Sequence, residues 1–109
     1  MNHTQYAAAI QEFCIYPDVG LGTDAEKTYL CLGLASEAGE IAGMMKKEMR
    51  DLKDASRETW LSEIGDVLWY TTRIMDMYGF SLEDVMLHNV AKLNDRKNRN
   101  KLTGSGDNR

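Results

Sequence analysis

A single proline, Pro17, occurs in the 109 residues, and it lies in the turn-rich stretch from Pro17 to Gly22. On both sides of this break, apolar residues recur at steps of three and four, which is the spacing of amphipathic helices. No segment alternates with the two-residue period of a strand over a useful length. The sequence therefore predicts an all-α fold of about four helices.

Helix boundaries are indicated by capping residues. Thr23 with Glu26, and Ser81 with Asp84, have the spacing of a capping box, in which each side chain accepts a hydrogen bond from the other residue's amide. Gly79 stands where a helix C-terminus is expected. The predicted helices are a first one through Cys14, a second from Thr23 to about Arg50, a third from about Ser56 to Gly79, and a fourth that begins at Ser81.

Composition excludes several classes of protein. The hydrophobic content of 43% suffices for a core, and the formal net charge of −4 argues against a nucleic-acid-binding surface. No apolar run approaches the ~20 residues of a membrane-spanning helix, and the N-terminal residues lack the pattern of a signal peptide. Cys14 and Cys31 form no metal or disulfide motif. We therefore expect a cytoplasmic protein with no membrane and no specific nucleic-acid partner.

The length allows one ordinary domain, which we expect to cover residues 1–102. The remaining segment, 103–109, has the sequence TGSGDNR and contains no apolar residue. Because such a segment has nothing to bury, we expect a flexible C-terminal tail.

Two acidic pairs stand on neighbouring predicted helices. Glu37 and Glu40 on the second helix, and Glu63 and Asp66 on the third, are three residues apart, so each pair shares a helical face. Glu37 falls within the apolar stripe of its helix, and Glu63 borders that of the next. An ionised carboxylate near a core is costly unless it is paired or bound to a metal. Oxygen-only ligands favour Mg²⁺, with Mn²⁺ as a possible substitute, over zinc.

The alternative is ordinary helix packing, with the acids in salt bridges to Lys46, Lys47 or Arg73. One acidic pair alone would favour that alternative. Gly39 and Gly65, which lie between the members of the two pairs, favour a metal site. Glycine costs ~1 kcal/mol of helix propensity relative to alanine, and helices tolerate it where backbones approach closely or a ligand needs room.

Cationic residues could bind phosphate near these acids. Lys47 follows Glu40 by two helical turns, and Asn89, Lys92 and Arg96 form one polar stripe on the fourth helix. Arginine presents a planar fork to phosphate, and lysine presents a point charge. Alone, the stripe would be read as a solvated face, but together with a metal cluster it predicts a phosphate clamp.

The sequence also resembles a known family. LGLASEAGEI from Leu32 to Ile41, the following Lys46-Lys47 and Arg50-Asp51, and EIGDVLWY from Glu63 to Tyr70 are similar to the MazG-like nucleoside triphosphate pyrophosphohydrolases. The resemblance runs from about residue 30 to 96. It implies a four- to five-helix bundle of the all-α NTP pyrophosphatase type that forms oligomers. The matched positions are the metal-binding ExxE and ExxD residues Glu37, Glu40, Glu63 and Asp66, and the N-x-x-K-x-x-x-R residues Asn89, Lys92 and Arg96.

The resemblance implies an enzyme that hydrolyses nucleoside triphosphates, NTP or dNTP, to the monophosphate and pyrophosphate with Mg²⁺. Water activated by the metal would attack the α-phosphorus, and the four acids would be both catalytic and metal-binding. One of them, of which Glu40 is a candidate, could orient the water instead. Lys47, Asn89, Lys92 and Arg96 would bind the substrate. The implied role is the cleansing or control of nucleotide pools.

Base recognition and the oligomeric state remain open in the sequence. Trp60 is our candidate for stacking on the base, and Phe13, Tyr16 and Trp69 are further aromatics that could do so. The family resemblance implies a homodimer or a homotetramer. Two alternatives to the preferred function stay open: a related pyrophosphatase acting on dUTP, phosphoribosyl-ATP or an alarmone, and a non-catalytic, metal-stabilised binding module.

Overall fold

The structure, a computed structural model, describes residues 1–109 and contains four α-helices and no strand. The helices are α1 His3–Ala9, α2 Asp24–Asp51, α3 Arg57–Tyr78 and α4 Leu82–Asn98. The predicted all-α class is confirmed. The first helix departs from its predicted course, because the chain tightens into a 3₁₀ helix at Ile10–Phe13 before it reaches Cys14. No helix is long and apolar enough to cross a membrane.

The predicted capping residues begin and end the helices, with one correction. Ser81 and Asp84 form the expected capping box, and Gly79 ends α3 in the left-handed conformation with φ +74°. The Thr23 side chain accepts a hydrogen bond from the Glu26 amide. The reciprocal bond predicted for the Glu26 carboxylate is wrong, because that carboxylate is buried and bonded elsewhere.

The chain divides into two compact units, Met1–Gly79 and Phe80–Arg109. The first unit is built on the pairing of α2 with α3, which the short connection 52–56 joins. Gly33 contacts Tyr70 near one end of the pair, and near the other end Glu48 accepts a hydrogen bond of 2.7 Å from the Ala55 amide. Residue numbers therefore increase along α2 while those of the residues opposite decrease, so α2 and α3 are antiparallel.

The apolar core of the first unit is small. Its buried members are Ile10, Tyr16, Leu30, Met44 and Met75. Much of the apolar stripe predicted for the third helix is uncovered, since Ile64 is 52% and Leu68 is 38% exposed. In the second unit, α4 also exposes apolar side chains, namely Val85, Met86, Leu87, Val90 and Leu93. The apolar pattern correctly identified the helices. A single chain of this length does not bury all of the apolar side chains that the pattern contains.

A buried polar network fixes the loop before α2. The Glu26 carboxylate has no exposed surface and accepts hydrogen bonds from the Gly20 amide at 2.5 Å, the Gly22 amide at 2.8 Å and the Tyr16 hydroxyl at 3.0 Å. Arg73 of α3 donates to the same Tyr16 hydroxyl through Nε at 3.2 Å and Nη2 at 3.1 Å. The loop is thereby held against both α2 and α3.

The hydrogen bonds decide the ionisation of Glu26. Burial alone would raise its pKa, but the hydrogen bonds from Gly20, Gly22 and Tyr16, together with the positive charge of Arg73, hold the pKa below its ordinary value. Each bond favours the charged carboxylate because an ionised oxygen is the stronger acceptor. Glu26 is therefore ionised at neutral pH although it is buried.

Glu26→Gln should lower the free energy of unfolding by about 3 kcal/mol at pH 7. The new side-chain amide would direct an N–H group at backbone N–H donors, and the positive charge of Arg73 would lose its buried counter-charge. Urea denaturation measures the loss, and exposed Glu12→Gln is the control. Since the folded pKa of Glu26 is lowered, its contribution is complete above its unfolded pKa and disappears as the pH falls through the folded pKa. The difference between wild type and variant should thus shrink in acid. Equal stability at pH 7 would contradict this role.

Candidate functional site

Three carboxylates meet where α2 pairs with α3. Glu37 of α2 and Glu63 and Asp66 of α3 each offer an oxygen, and these oxygens all lie within 4.8 Å of one another. The three-residue step between Glu63 and Asp66 places both on one side of α3, and the antiparallel pairing brings Glu37 opposite them. Glu37 and Glu63 are half-buried, and Asp66 is exposed. We call this group the carboxylate trio.

Glu40, the fourth acid of the predicted set, stands outside the trio. It lies one turn after Glu37 on α2 and is exposed, but its charge still acts on Glu37. Glu40 and Glu63 together line a neighbouring cavity. The structure therefore brings three of the four predicted acids within reach of one ion and leaves Glu40 beside them.

The trio carries uncompensated negative charge. Burial first, and then the charges of Asp66, Glu40 and Glu63, raise the pKa of Glu37 above its ordinary value. None of these acids forms an ion pair, so the salt bridges of the alternative interpretation are not made. Arg73, one of the proposed partners, instead pairs with Asp76 at 2.8 Å.

This donor set suits a hard divalent cation. Carboxylate oxygens are the ligands that Mg²⁺ prefers, and a cation would remove the mutual repulsion of the three acids. The glycines between the predicted pairs are not explained by close packing. A Cβ added at Gly39 or Gly65 would meet nothing within 4 Å.

Two cavities adjoin the trio, and the first is polar. It has a volume of about 500 Å³ and reaches from Glu40 and Glu63 to the connection between α2 and α3. Lys47, a predicted substrate-binding residue, lines this cavity, as does Lys53, which the sequence pattern did not indicate. Five carboxylates line it as well, those of Glu40, Glu48, Asp51, Asp54 and Glu63. An anion could bind beside the two ammonium groups only together with a cation that offsets this negative charge.

The second cavity is aromatic, with a volume of about 320 Å³. Two members of the trio, Glu37 and Asp66, form part of its wall. The other lining residues are Phe13, Ile15, Tyr16, Tyr29, Trp69 and Tyr70. We call this space the aromatic cavity.

The rings around this cavity hold one another in place. Tyr16 and Tyr29 stack with centroids 5.3 Å apart and planes at 15°, and Trp69 meets Tyr16 edge-on at 6.1 Å. Trp69 also meets Tyr70 edge-on at 4.9 Å. Stacked and edge-on ring pairs of this kind are favourable, so the rings stabilise one another around the cavity.

The sequence pattern indicated only part of this aromatic group. Trp60, our candidate for base stacking, lines neither cavity. Tyr29 and Tyr70 were not indicated, although a spacing signal exists. Tyr29 precedes Glu37 by two helical turns, and Tyr70 follows Asp66 by one, so each shares a face with a member of the trio.

The predicted substrate-binding residues of α4 lie in the second unit. Lys92 Nζ is 3.3 Å from Asp107 Oδ1, and Arg96 Nη2 donates to Asp107 Oδ1 at 3.2 Å and to its carbonyl oxygen at 2.7 Å. Arg96 is only 5% exposed, and its Nε is buried without a partner. Asn89 lines a groove with Lys92 on the same helix. The tail predicted to be flexible thus places a carboxylate on both predicted phosphate-binding cations; its mobility stays a prediction.

Comparison with known proteins gives a consistent result. A family model described as the MazG nucleotide pyrophosphohydrolase domain matches residues 25–100. The chain is 38% identical over 109 residues to the Gene 37 protein of Mycobacterium phage L5, covering 95% of this chain and 96% of that protein. It is also 38% identical over 72 residues to the uncharacterized protein YvdC of Bacillus subtilis (strain 168), covering 58% of this chain and 68% of YvdC. No solved structure matches it.

Mg²⁺ or Mn²⁺ should raise the thermal midpoint, because a cation that binds the folded trio stabilises the folded state. At ten times the dissociation constant the gain is about 1.4 kcal/mol, which corresponds to a shift on the order of 5 °C. Glu63→Gln should abolish this shift without lowering the midpoint in chelator, since it relieves repulsion. Exposed Glu58→Gln on the same helix is the control and should keep the shift. A shift that survives in Glu63→Gln would place the ion elsewhere.

Proposed function

Because this chain belongs to the family of MazG nucleotide pyrophosphohydrolases, we propose that it hydrolyses a nucleoside triphosphate, NTP or dNTP, to the monophosphate and pyrophosphate with Mg²⁺ as the cofactor. One observation carries the proposal for this chain. The carboxylate trio forms no ion pair and contributes to the walls of two cavities, one lined by further carboxylates with Lys47 and Lys53 and one lined by aromatic rings. Phosphates and a nucleobase require those two environments.

The acids of α2 and α3 have distinct roles in the proposal. Glu37, Glu63 and Asp66 hold the ion, and Glu40, which stands beside the trio, orients the attacking water and accepts its proton. When bound, Mg²⁺ neutralises phosphate charge and polarises the phosphoryl group. The water oxygen forms a bond to the α-phosphorus while the bond between that phosphorus and the α,β-bridging oxygen breaks. Pyrophosphate then leaves with the electron pair of that bond.

Cationic residues bind the triphosphate in this scheme. Lys47 and Lys53 offer ammonium groups in the polar cavity. Asn89, Lys92 and Arg96 supply the phosphate contacts from α4, as the N-x-x-K-x-x-x-R pattern implies. The contact of Arg96 Nη2 with the Asp107 carboxylate supports this role, because the guanidinium is already directed at an oxygen anion.

The nucleobase binds in the aromatic cavity. Aromatic faces stack on any base, at about 1–3 kcal/mol for each stacked base. The rings of Tyr16, Tyr29, Trp69 and Tyr70 border the same cavity as Glu37 and Asp66, and for this reason we prefer them to Trp60. A base stacked there would leave its phosphates directed toward the trio.

The exposed apolar faces support self-association. Leu61, Ile64 and Leu68 on α3 are between 38% and 55% exposed in the single chain. Uncovered helix faces of this kind are typical of protein interfaces. We therefore retain the homodimer or homotetramer as part of the proposal, together with a cytoplasmic role in cleansing or controlling nucleotide pools.

Product analysis tests the reaction. Purified protein given each common NTP and dNTP should release the monophosphate and pyrophosphate with Mg²⁺ and nothing with chelator, as resolved by ion-exchange chromatography. Glu63→Gln should lower the rate by roughly 10²–10³-fold, and Glu58→Gln should not. Release of the nucleoside diphosphate and orthophosphate would show that the bond between the β- and γ-phosphates is cleaved, and would contradict the proposed reaction. No turnover on this panel would favour dUTP, phosphoribosyl-ATP or an alarmone as substrate, or a binding role without catalysis.

Lys92→Ala should raise KM for the triphosphate about tenfold, because it removes a charge-assisted contact with phosphate, and should change kcat little. Steady-state kinetics on the best substrate measures both constants. Exposed Lys97→Ala on the same helix is the matched control. An unchanged KM would remove Lys92 from the phosphate-binding residues.

A further inference from the structure

Gly33 and Tyr70 make the closest backbone-to-ring contact among the glycines of this chain. A Cβ built on Gly33 would overlap Cε1 and Cζ of the Tyr70 ring. The Tyr70 ring is thus seated directly on the backbone of α2. Any larger residue at position 33 would force the ring to move.

Tyr70 also borders both parts of the proposed site. Its ring lines the aromatic cavity together with Glu37 and Asp66, and it meets Trp69 edge-on. Burial raises the pKa of its hydroxyl, as do Tyr29 and then the charges of Glu37 and Asp66. Tyr70 therefore shares the wall of the aromatic cavity with two members of the trio.

The aromatic cavity offers space to a displaced Tyr70 ring, which forms part of its wall. The backbone of α2 lies beneath the ring, and Trp69 and Tyr29 contact it within the aromatic group. A methyl group at position 33 would therefore move the ring into the volume that a base would occupy.

We propose that Tyr70, seated on Gly33, is a positioning residue that sets the distance between a nucleobase in the aromatic cavity and the carboxylate trio. The proposal rests on the function proposed above and assigns the step that this function leaves open, namely how the α-phosphate is brought to the acids. A misplacement of about 1 Å costs on the order of 10²-fold in rate when reacting groups must be aligned. Tyr70 acts through this alignment and takes no part in bond making.

Gly33→Ala is the principal test, and Gly43→Ala is its matched control. Both positions are glycines of α2, and both substitutions raise helix propensity, but a Cβ at Gly43 meets nothing within 4 Å. Gly33→Ala should lower kcat/KM for nucleotide about 100-fold, and Gly43→Ala should leave it near the wild-type value. The thermal shift caused by Mg²⁺ should be unchanged in both variants, because neither alters the trio. Loss of that shift in Gly33→Ala would mean that the helices have moved apart, and would overturn the proposal.

Binding without turnover separates this inference from the proposed reaction. Trp69 reports on the cavity by its fluorescence, and Trp60→Phe removes the only other tryptophan. In that background, each of the common nucleoside monophosphates is titrated in metal-free buffer. Gly33→Ala should weaken the binding at least about tenfold, whereas binding of inorganic tripolyphosphate, which has no base, should not change. If wild type binds monophosphates but hydrolyses no triphosphate, the proposed reaction fails and the positioning role is still tested.

Substitutions of Tyr70 keep the inference testable if Gly33→Ala does not fold. Tyr70→Phe keeps the ring and should retain nearly wild-type kcat/KM, whereas Tyr70→Leu removes the wall and should lower kcat more than it raises KM. Adding Gly33→Ala to Tyr70→Leu should cause little further loss, because the clash with the ring has gone. Wild-type kinetics in Tyr70→Leu, or fully additive losses in the double variant, would overturn the assignment.

Discussion

The antiparallel pairing of α2 with α3 is the constraint on which the rest of the first unit depends. It opposes Glu37 to Glu63 and Asp66, so charges that are distant in sequence become mutually repulsive neighbours. It also seats Tyr70 on Gly33, one turn away from those charges. A change in the register of the two helices would separate the acids and remove the aromatic wall together.

The Glu26 network explains how a loop takes part in this helical site. Tyr16 belongs to the loop region, yet its ring stacks on Tyr29 and its hydroxyl is held between Glu26 and Arg73. The network makes a buried charge tolerable by surrounding it with donors, since an unpartnered buried carboxylate would be strongly unfavourable. One side of the aromatic cavity is thus as rigid as the helices, although no helix supplies it.

The helices and the acids were predictable from the sequence because both depend on local spacing. Capping residues gave the start of α2, the end of α3 and the start of α4, and the three-residue steps identified the members of the trio. The role of Glu26 was not predictable, because its partners on the loop and on α3 are chosen by folding. Trp60 and Trp69 both lie on α3, and the rotation of α3 against α2 places Trp69 on the cavity.

The contact of Asp107 with Lys92 and Arg96 has a consequence for affinity. A carboxylate tethered by a short flexible segment acts at an effective concentration on the order of millimolar. Any phosphate that binds this cation pair has to displace that internal competitor. The apparent affinity of the pair for such an anion would be its intrinsic affinity multiplied by the fraction of molecules in which Asp107 has released the two cations. An anion at low concentration would leave Asp107 in place, and only an anion at higher concentration would replace it.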